Sequence, residues 1–185
     1  MLREQLEKYV PYNEQELRDR NVMLQIMDTC DDYLFRSNEI AHFTASAWIV
    51  NNNRSKVLLI HHNIYNSWTW TGGHADGEEN LLQTALREAS EETGLRDLKA
   101  IDDDIFSLEI IPVSGHIKRG RYVSSHLHFN ITYLIEADEE EILRIKADEN
   151  SDVGWFKPEE INSLSDEKWM KEVVYAKLQN KLEVK

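Results

Sequence analysis

Three glutamates, Glu88, Glu91 and Glu92, stand at i, i+3 and i+4 in the run REASEE. On a helix stepping about 100° per residue, with Glu88 at 0°, Glu91 falls near 300° and Glu92 near 40°. The three carboxylates therefore share an arc of about 100°. Like charges at this spacing destabilise an isolated helix by some tenths of a kcal/mol per pair. Leu82, Ala85, Leu86 and Ala89 occupy the adjacent arc and form an apolar stripe suited to packing on a sheet. Arg87 lies one turn before Glu91 and is placed to hold that carboxylate.

A solvated acidic helix accounts for the stripe but leaves unexplained the two glycines just upstream, Gly72 and Gly73. A hard divalent cation accounts for both. Mg²⁺ or Mn²⁺ prefers carboxylate, carbonyl and water oxygens, and glycine lets the backbone approach closely enough to turn a carbonyl toward it.

The elements that must position this helix follow from changes of period. Residues 1–36 read as two helices. Pro11 interrupts them, and Asn13 with Glu16 forms an N-terminal capping pair. Leu17, Met23, Leu24, Met27, Cys30 and Leu34 then make an apolar stripe that packs on the domain or on a second copy of the chain. From His42, HFTASAWIV alternates and NNNRS turns into VLLI, which predicts a hairpin. Trp68 and Trp70 mark a further strand just before the glycines. LKAIDDDIFSLEIIPV and HLHFNITYLIEA follow the acidic helix as strands, with the basic turn KRGRYVSS between them. VGWF is a short last strand. Beyond Pro158 the chain reads as helical, with Trp169, Val173, Ala176 and Leu182 on one face. Strands interleaved with helices predict a layered α/β or α+β domain.

Composition narrows the partners. The chain has 185 residues and carries a formal charge of −13, from 21 Lys and Arg against 34 Asp and Glu. That charge disfavours nucleic acid and anionic membranes, which need a cationic footprint. It is compatible with an anionic small molecule bridged by a divalent cation. The single cysteine, Cys30, forms no intrachain disulfide and reads as a small buried hydrophobe. The N-terminal residues lack a signal-peptide core and no stretch has membrane-span length, so the expected location is the cytoplasm.

Residues 73–95 resemble the Nudix box, G-x5-E-x7-R-E-U-x-E-E-x-G-U with U apolar. Gly73, Glu79, Arg87, Glu88, Ala89, Glu91, Glu92, Gly94 and Leu95 fill every position. The invariant positions match by chance with a probability on the order of 10⁻⁸. Thr71 stands where family members often carry Pro before the paired glycines.

The resemblance implies an α/β/α sandwich around a mixed sheet, over about residues 40–180. The chain then divides into an N-terminal helical extension, residues 1–36, and a Nudix domain, residues 37–185. It implies a pyrophosphohydrolase that cleaves a nucleoside diphosphate linked to another moiety, such as a sugar nucleotide or a (d)NTP, with Mg²⁺ or Mn²⁺. Glu88, Glu91, Glu92 and the Gly73 carbonyl become the expected metal ligands. Glu79 and Arg87 support the loop–helix–loop. Glu91 or Glu92 is placed as general base, with Glu149 in a later loop as a further catalytic candidate. Two rival functions are a non-catalytic nucleotide-binding module and an isopentenyl-diphosphate-isomerase-like enzyme. The latter uses a catalytic cysteine, whereas Cys30 precedes the domain.

His126, His128 and Asn130 share one strand face, opposite Leu127, Phe129 and Ile131. His126 and His128 are candidate substrate contacts, and His42 and His74 add histidines near the same pocket. The sequence shows no closed ligand set of the kind zinc favours. Lys118, Arg119 and Arg121 form a candidate phosphate clamp, and Trp70 or Trp68 a candidate base-stacking surface. The N-terminal helices are candidates for a homodimer contact.

Overall fold

The computed structural model describes residues 2–118, 120–165 and 167–184. Arg119 of the expected phosphate clamp lies outside the described residues. Two helices open the chain, α1 (Leu2–Lys8) and α2 (Glu14–Thr29). Asn13 caps α2, its side chain accepting from the Glu16 amide at 2.9 Å.

The strands that follow are β1 (Ala41–Asn51), β2 (Val57–His62), β3 (Ser67–Thr69) and β4 (Thr71–His74). The acidic helix is α3 (Leu81–Thr93), closed by Gly94 at φ 76°, a left-handed cap that suits glycine. Next come β5 (Lys99–Ala100), β6 (Ser107–Val113), β7 (His116–Lys118), β8 (Arg121–Val123), β9 (His126–Ala137) and β10 (Asn150–Phe156). The chain ends in α4 (Pro158–Leu164), a π-wound segment Met170–Tyr175, and α5 (Ala176–Val184).

The main sheet runs β10-β2-β1-β9-β5. β3 adds to β2, β4 to β1 and β6 to β9, while β7 and β8 form a separate hairpin. β1 and β9 pair in parallel from Ala41↔Leu127 to Asn51↔Ala137, and the other pairs are antiparallel, which makes the sheet mixed.

All of β1 is buried, as expected of a central strand covered on both faces. Phe43, Ala45, Ala47 and Ile49 face the layer holding Leu81, Leu82, Ala85 and Ala89 of α3 and Leu2, Leu6 and Met23 of the N-terminal helices. Trp48 and Val50 face the other layer, with Trp70, Phe106, Met170, Val174, Tyr175 and Leu178. This is an α/β/α sandwich in which residues 1–36 share the core of the domain. Leu17, by contrast, points outward and is 40% exposed.

The C-terminal stripe is shifted from its expected phase. Met170, Val174, Tyr175 and Leu178 are buried, whereas Trp169 is 38% exposed. The cause is the π-wound segment, whose i→i+5 hydrogen bonds advance the chain more slowly around the axis than a 3.6-residue turn.

Between the layers, polar side chains replace apolar ones. Asn130 Oδ1 accepts from Thr44 Oγ1 (3.1 Å) and Ser46 Oγ (2.8 Å). Asn130 Nδ2 donates to Glu109 Oε2 at 3.2 Å. Lys177 Nζ then lies 2.9 Å from Glu109 Oε1 and 3.1 Å from Glu16 Oε1, and Lys181 Nζ lies 3.0 Å from Glu16 Oε1. A connected set of buried charges thus joins α2, β6 and the C-terminal helix, and each ion has an opposite partner, as burial requires.

Candidate active site

α3 is fixed by its apolar stripe, which leaves the carboxylate arc facing the end of β4. Glu92 lies nearest the stripe and is buried, Glu88 is half-buried and Glu91 is exposed. The Gly72 amide donates to Glu92 Oε2 at 3.0 Å. A side chain on Gly73 would overlap the Glu88 carboxyl and force that side chain to move, so glycine lets Glu88 lie against the strand. Gly72 is equally tight, since a Cβ there would come within 2.6 Å of the Ala45 carbonyl and Ser46 Oγ. Gly73→Ala is therefore expected to displace Glu88 and lower kcat/KM about 10²-fold. Steady-state kinetics beside a thermal melt checks this, and unchanged kinetics in a folded variant would show that the close approach is dispensable.

Positive charge reaches the arc from two sides. Arg87 Nη1 lies 2.8 Å from Glu88 Oε1 and 3.3 Å from Glu91 Oε1, so it spans two carboxylates. Lys146, in the loop after β9, contacts Glu91 Oε2 at 2.9 Å and Glu149 Oε2 at 3.0 Å. The structure thereby brings Glu149 to the same ammonium as Glu91. The loop is anchored on α3. Arg144 N donates to Thr93 O at 2.7 Å, and the buried Asn150 Nδ2 donates to Glu92 O at 2.9 Å.

Burial, opposed by the Gly72 amide and reinforced by Glu88 and Glu149, pushes the Glu92 carboxyl up to about 8. Burial also raises Glu88, against the pull of Arg87. Glu91 goes the other way, held below its ordinary value chiefly by its hydrogen bond from Lys146. Three carboxylates one turn apart thus differ in proton affinity because their surroundings differ. Glu92 is ionised at cost in the protein alone and is suited to a partner cation.

The remaining candidates sit as follows. Glu79 is exposed ahead of α3. Trp70 is packed edge-on against Tyr175 in the core, their centroids 5.7 Å apart, while Trp68 is half-buried against Phe156. Arg121 is exposed on the separate β7–β8 hairpin. His126 and His128 lie on the sheet face opposite α3, and His128 pairs with His42 across the parallel β1–β9 ladder. Cys30 is half-buried just past α2. Sequence reasoning missed Lys146 and Asn150. The only local signal for Lys146 was its i,i+3 spacing to Glu149, a common surface pattern.

A family model described as NUDIX domain matches residues 41–177. No curated protein matches significantly. Among solved structures, a Methanosarcina mazei MutT protein is 16% identical, with a TM-score of 0.55 over 76% of this chain and 94% of its own. A Caenorhabditis elegans Ap4A hydrolase is 20% identical, with a TM-score of 0.52 over 77% of this chain and 95% of its own. A NUDIX-family hydrolase from Clostridium perfringens is 21% identical, with a TM-score of 0.51 over 77% and 97%. At these identities the structures show the fold, and the family rests on the match over residues 41–177 together with the filled box: this chain belongs to the NUDIX family.

Proposed function

We propose that the chain is a pyrophosphohydrolase acting on a nucleoside diphosphate derivative, with Mg²⁺ or Mn²⁺ held by Glu88, Glu91, Glu92 and the Gly73 carbonyl. The observation that carries this reading is the buried Glu92, its carboxyl pushed up to about 8 beside Glu88 and under the Gly72–Gly73 backbone. An all-oxygen donor set of this charge fits a hard cation. A bound cation there supplies Lewis-acid neutralisation of diphosphate charge and acidifies water.

The chain's own residues do the rest. Arg87 bridges Glu88 and Glu91, and Lys146 holds Glu149 beside Glu91. Glu91, Glu92 or Glu149 accepts the proton of the attacking water. Asn150 and Arg144 keep the loop carrying Lys146 and Glu149 docked on α3.

The test is a panel of sugar nucleotides including ADP-ribose, dinucleoside polyphosphates, and normal and oxidised (d)NTPs, with Mg²⁺, Mn²⁺ or chelator. The expected result is metal-dependent release of a nucleoside monophosphate from one class. Tight nucleotide binding with no turnover under either metal would instead establish a non-catalytic module. No helix among the described residues is long and apolar enough to cross a membrane.

A further inference from the structure

Four histidines from three strands converge on the sheet face opposite α3. His42 opens β1, His74 ends β4, and His126 and His128 open β9. Their ring centroids lie 4.9–5.2 Å apart in five of the pairings. One ring nitrogen each from His42, His74 and His128 lies within 4.8 Å of the other two. The register explains the convergence, because His42 pairs with His128, and Thr44, next on the same face, pairs with His74.

Hydrogen bonds to carbonyls set two of the tautomers. His42 Nδ1 lies 2.9 Å from Asn38 O and His126 Nδ1 lies 2.8 Å from Ser124 O. A carbonyl only accepts, so both Nδ1 atoms carry the proton, and in each neutral ring the lone pair is on Nε2. His42 is 3% exposed, and its Nε2 is buried without a hydrogen-bond partner among the described residues. Burial holds this ring below its ordinary proton affinity, which keeps it neutral and a potential ligand. His126 Nε2 faces His128 Nε2 at 3.1 Å. Either His128 donates across that contact, or both lone pairs face a common cation. Only the second arrangement also satisfies the orphaned Nε2 of His42.

We propose that His42, His74 and His128, with His126 alongside, form a second cation site for a borderline divalent transition metal of the zinc class. Imidazole donors select such ions over Mg²⁺, which demands oxygen. Nδ1–H···O=C bonds of the kind made by His42 and His126 are the usual way a protein orients a metal-binding imidazole. A tetrahedral site with metal–nitrogen bonds of about 2.0–2.1 Å needs ligand atoms about 3.3 Å apart. The present separations, within 4.8 Å, shorten to that value when an ion is bound. The site differs in hardness from the glutamate site and lies on the opposite face of the same strand. Successive residues of β4 point to opposite faces, so Gly73 meets Glu88 while His74 meets His42 and His128. An ion there ties the start of β1, the start of β9 and the end of β4 together through His74, inside the box and next to Gly73.

The test uses untagged full-length protein, stripped with chelator, dialysed and titrated with Co²⁺. One equivalent is expected to bind with the intense visible d–d bands of a low-coordinate nitrogen site. Zn²⁺ should displace it and excess Mg²⁺ should not. Glu88→Gln, Glu91→Gln and Glu92→Gln combined should leave the bands in place, which separates this site from the proposed hydrolytic one. His42 is buried and its variants risk misfolding, so the decisive substitutions are His74→Asn and His128→Asn, both at half-buried positions. Each should weaken Co²⁺ binding at least about 100-fold with near-UV circular dichroism unchanged. Absence of the bands, or Co²⁺ binding that is lost with the glutamates and insensitive to both histidine variants, would overturn the proposal.

Discussion

Glu92→Gln is expected to lower turnover about 10²–10⁴-fold while making the metal-free protein about 2–4 kcal/mol more stable at pH 8. The two effects share one cause. Glu92 is buried and its carboxyl is pushed from 4.5 up to about 8. Between those values the folded state holds a proton that the unfolded state has released. The Glu92 contribution to stability is therefore complete below about pH 4.5 and is lost as pH rises through about 8. Glutamine keeps an acceptor for the Gly72 amide but removes the ionisation. The stability gap between variant and wild type should thus be near zero below about pH 4 and widen toward pH 9. Urea denaturation across that range in chelator, set beside turnover with Mn²⁺, tests both halves. A gap independent of pH would show that Glu92 is not ionised at cost.

Lys177→Met should be among the most damaging single changes in the chain, costing about 3–5 kcal/mol. The lysine and its two carboxylate partners, Glu16 and Glu109, are nearly or wholly inaccessible to water. Its ammonium also donates to Gln15 Oε1 at 2.8 Å and Leu108 O at 3.1 Å. Methionine fills the space but leaves Glu109 buried without its ammonium partner and Glu16 with Lys181 alone. Adding Glu109→Gln should recover most of the loss, because it neutralises the carboxylate left without a lysine while Glu16 keeps Lys181. Burial alone would raise the Glu16 carboxyl, but Lys177 and Lys181 outweigh it and hold the group below its ordinary value. Its contribution is therefore present above about pH 4.5 and is lost as pH falls through the lower folded value. Chemical denaturation of the single and double variants at pH 7 and pH 4 measures these effects. A single variant as stable as wild type would mean the cluster is energetically neutral.

What the sequence discloses depends on distance along the chain. The box residues lie within one helix and its approach loop, so spacing alone places Glu88, Glu91 and Glu92 on one arc. The burial of Glu92 is readable too, since its helical angle borders the stripe of Leu82, Ala85, Leu86 and Ala89. Asn13 as a cap is a three-residue pattern. The rest depends on long-range pairing. Glu16 reads as a capping-box residue, and nothing nearby announces partners at Lys177 and Lys181. Thr44, Ser46 and Asn130 look like the wet side of half-buried strands until a second helical layer covers them. The π-wound turn at Met170–Tyr175 defeats a 3.6-residue reading of the C-terminal stripe. The four histidines are scattered over residues 42–128, and their meeting depends on the parallel β1–β9 register, which no local pattern encodes.

That parallel ladder also governs how the chain reaches its native state. Ala41 meets Leu127, so the central pair closes a loop enclosing the whole box before it gains a contact. The closure entropy of such a loop is on the order of 4 kcal/mol, which marks a slow, high-contact-order folder. During synthesis, β1 and α3 emerge well before β9, so the edge of β1 that β9 pairs with stays open until then. Glu16 waits longer still, because Lys177 and Lys181 emerge only after every strand of the sheet. The final turns of the C-terminal helix therefore act as the clasp that commits the first helices to the core.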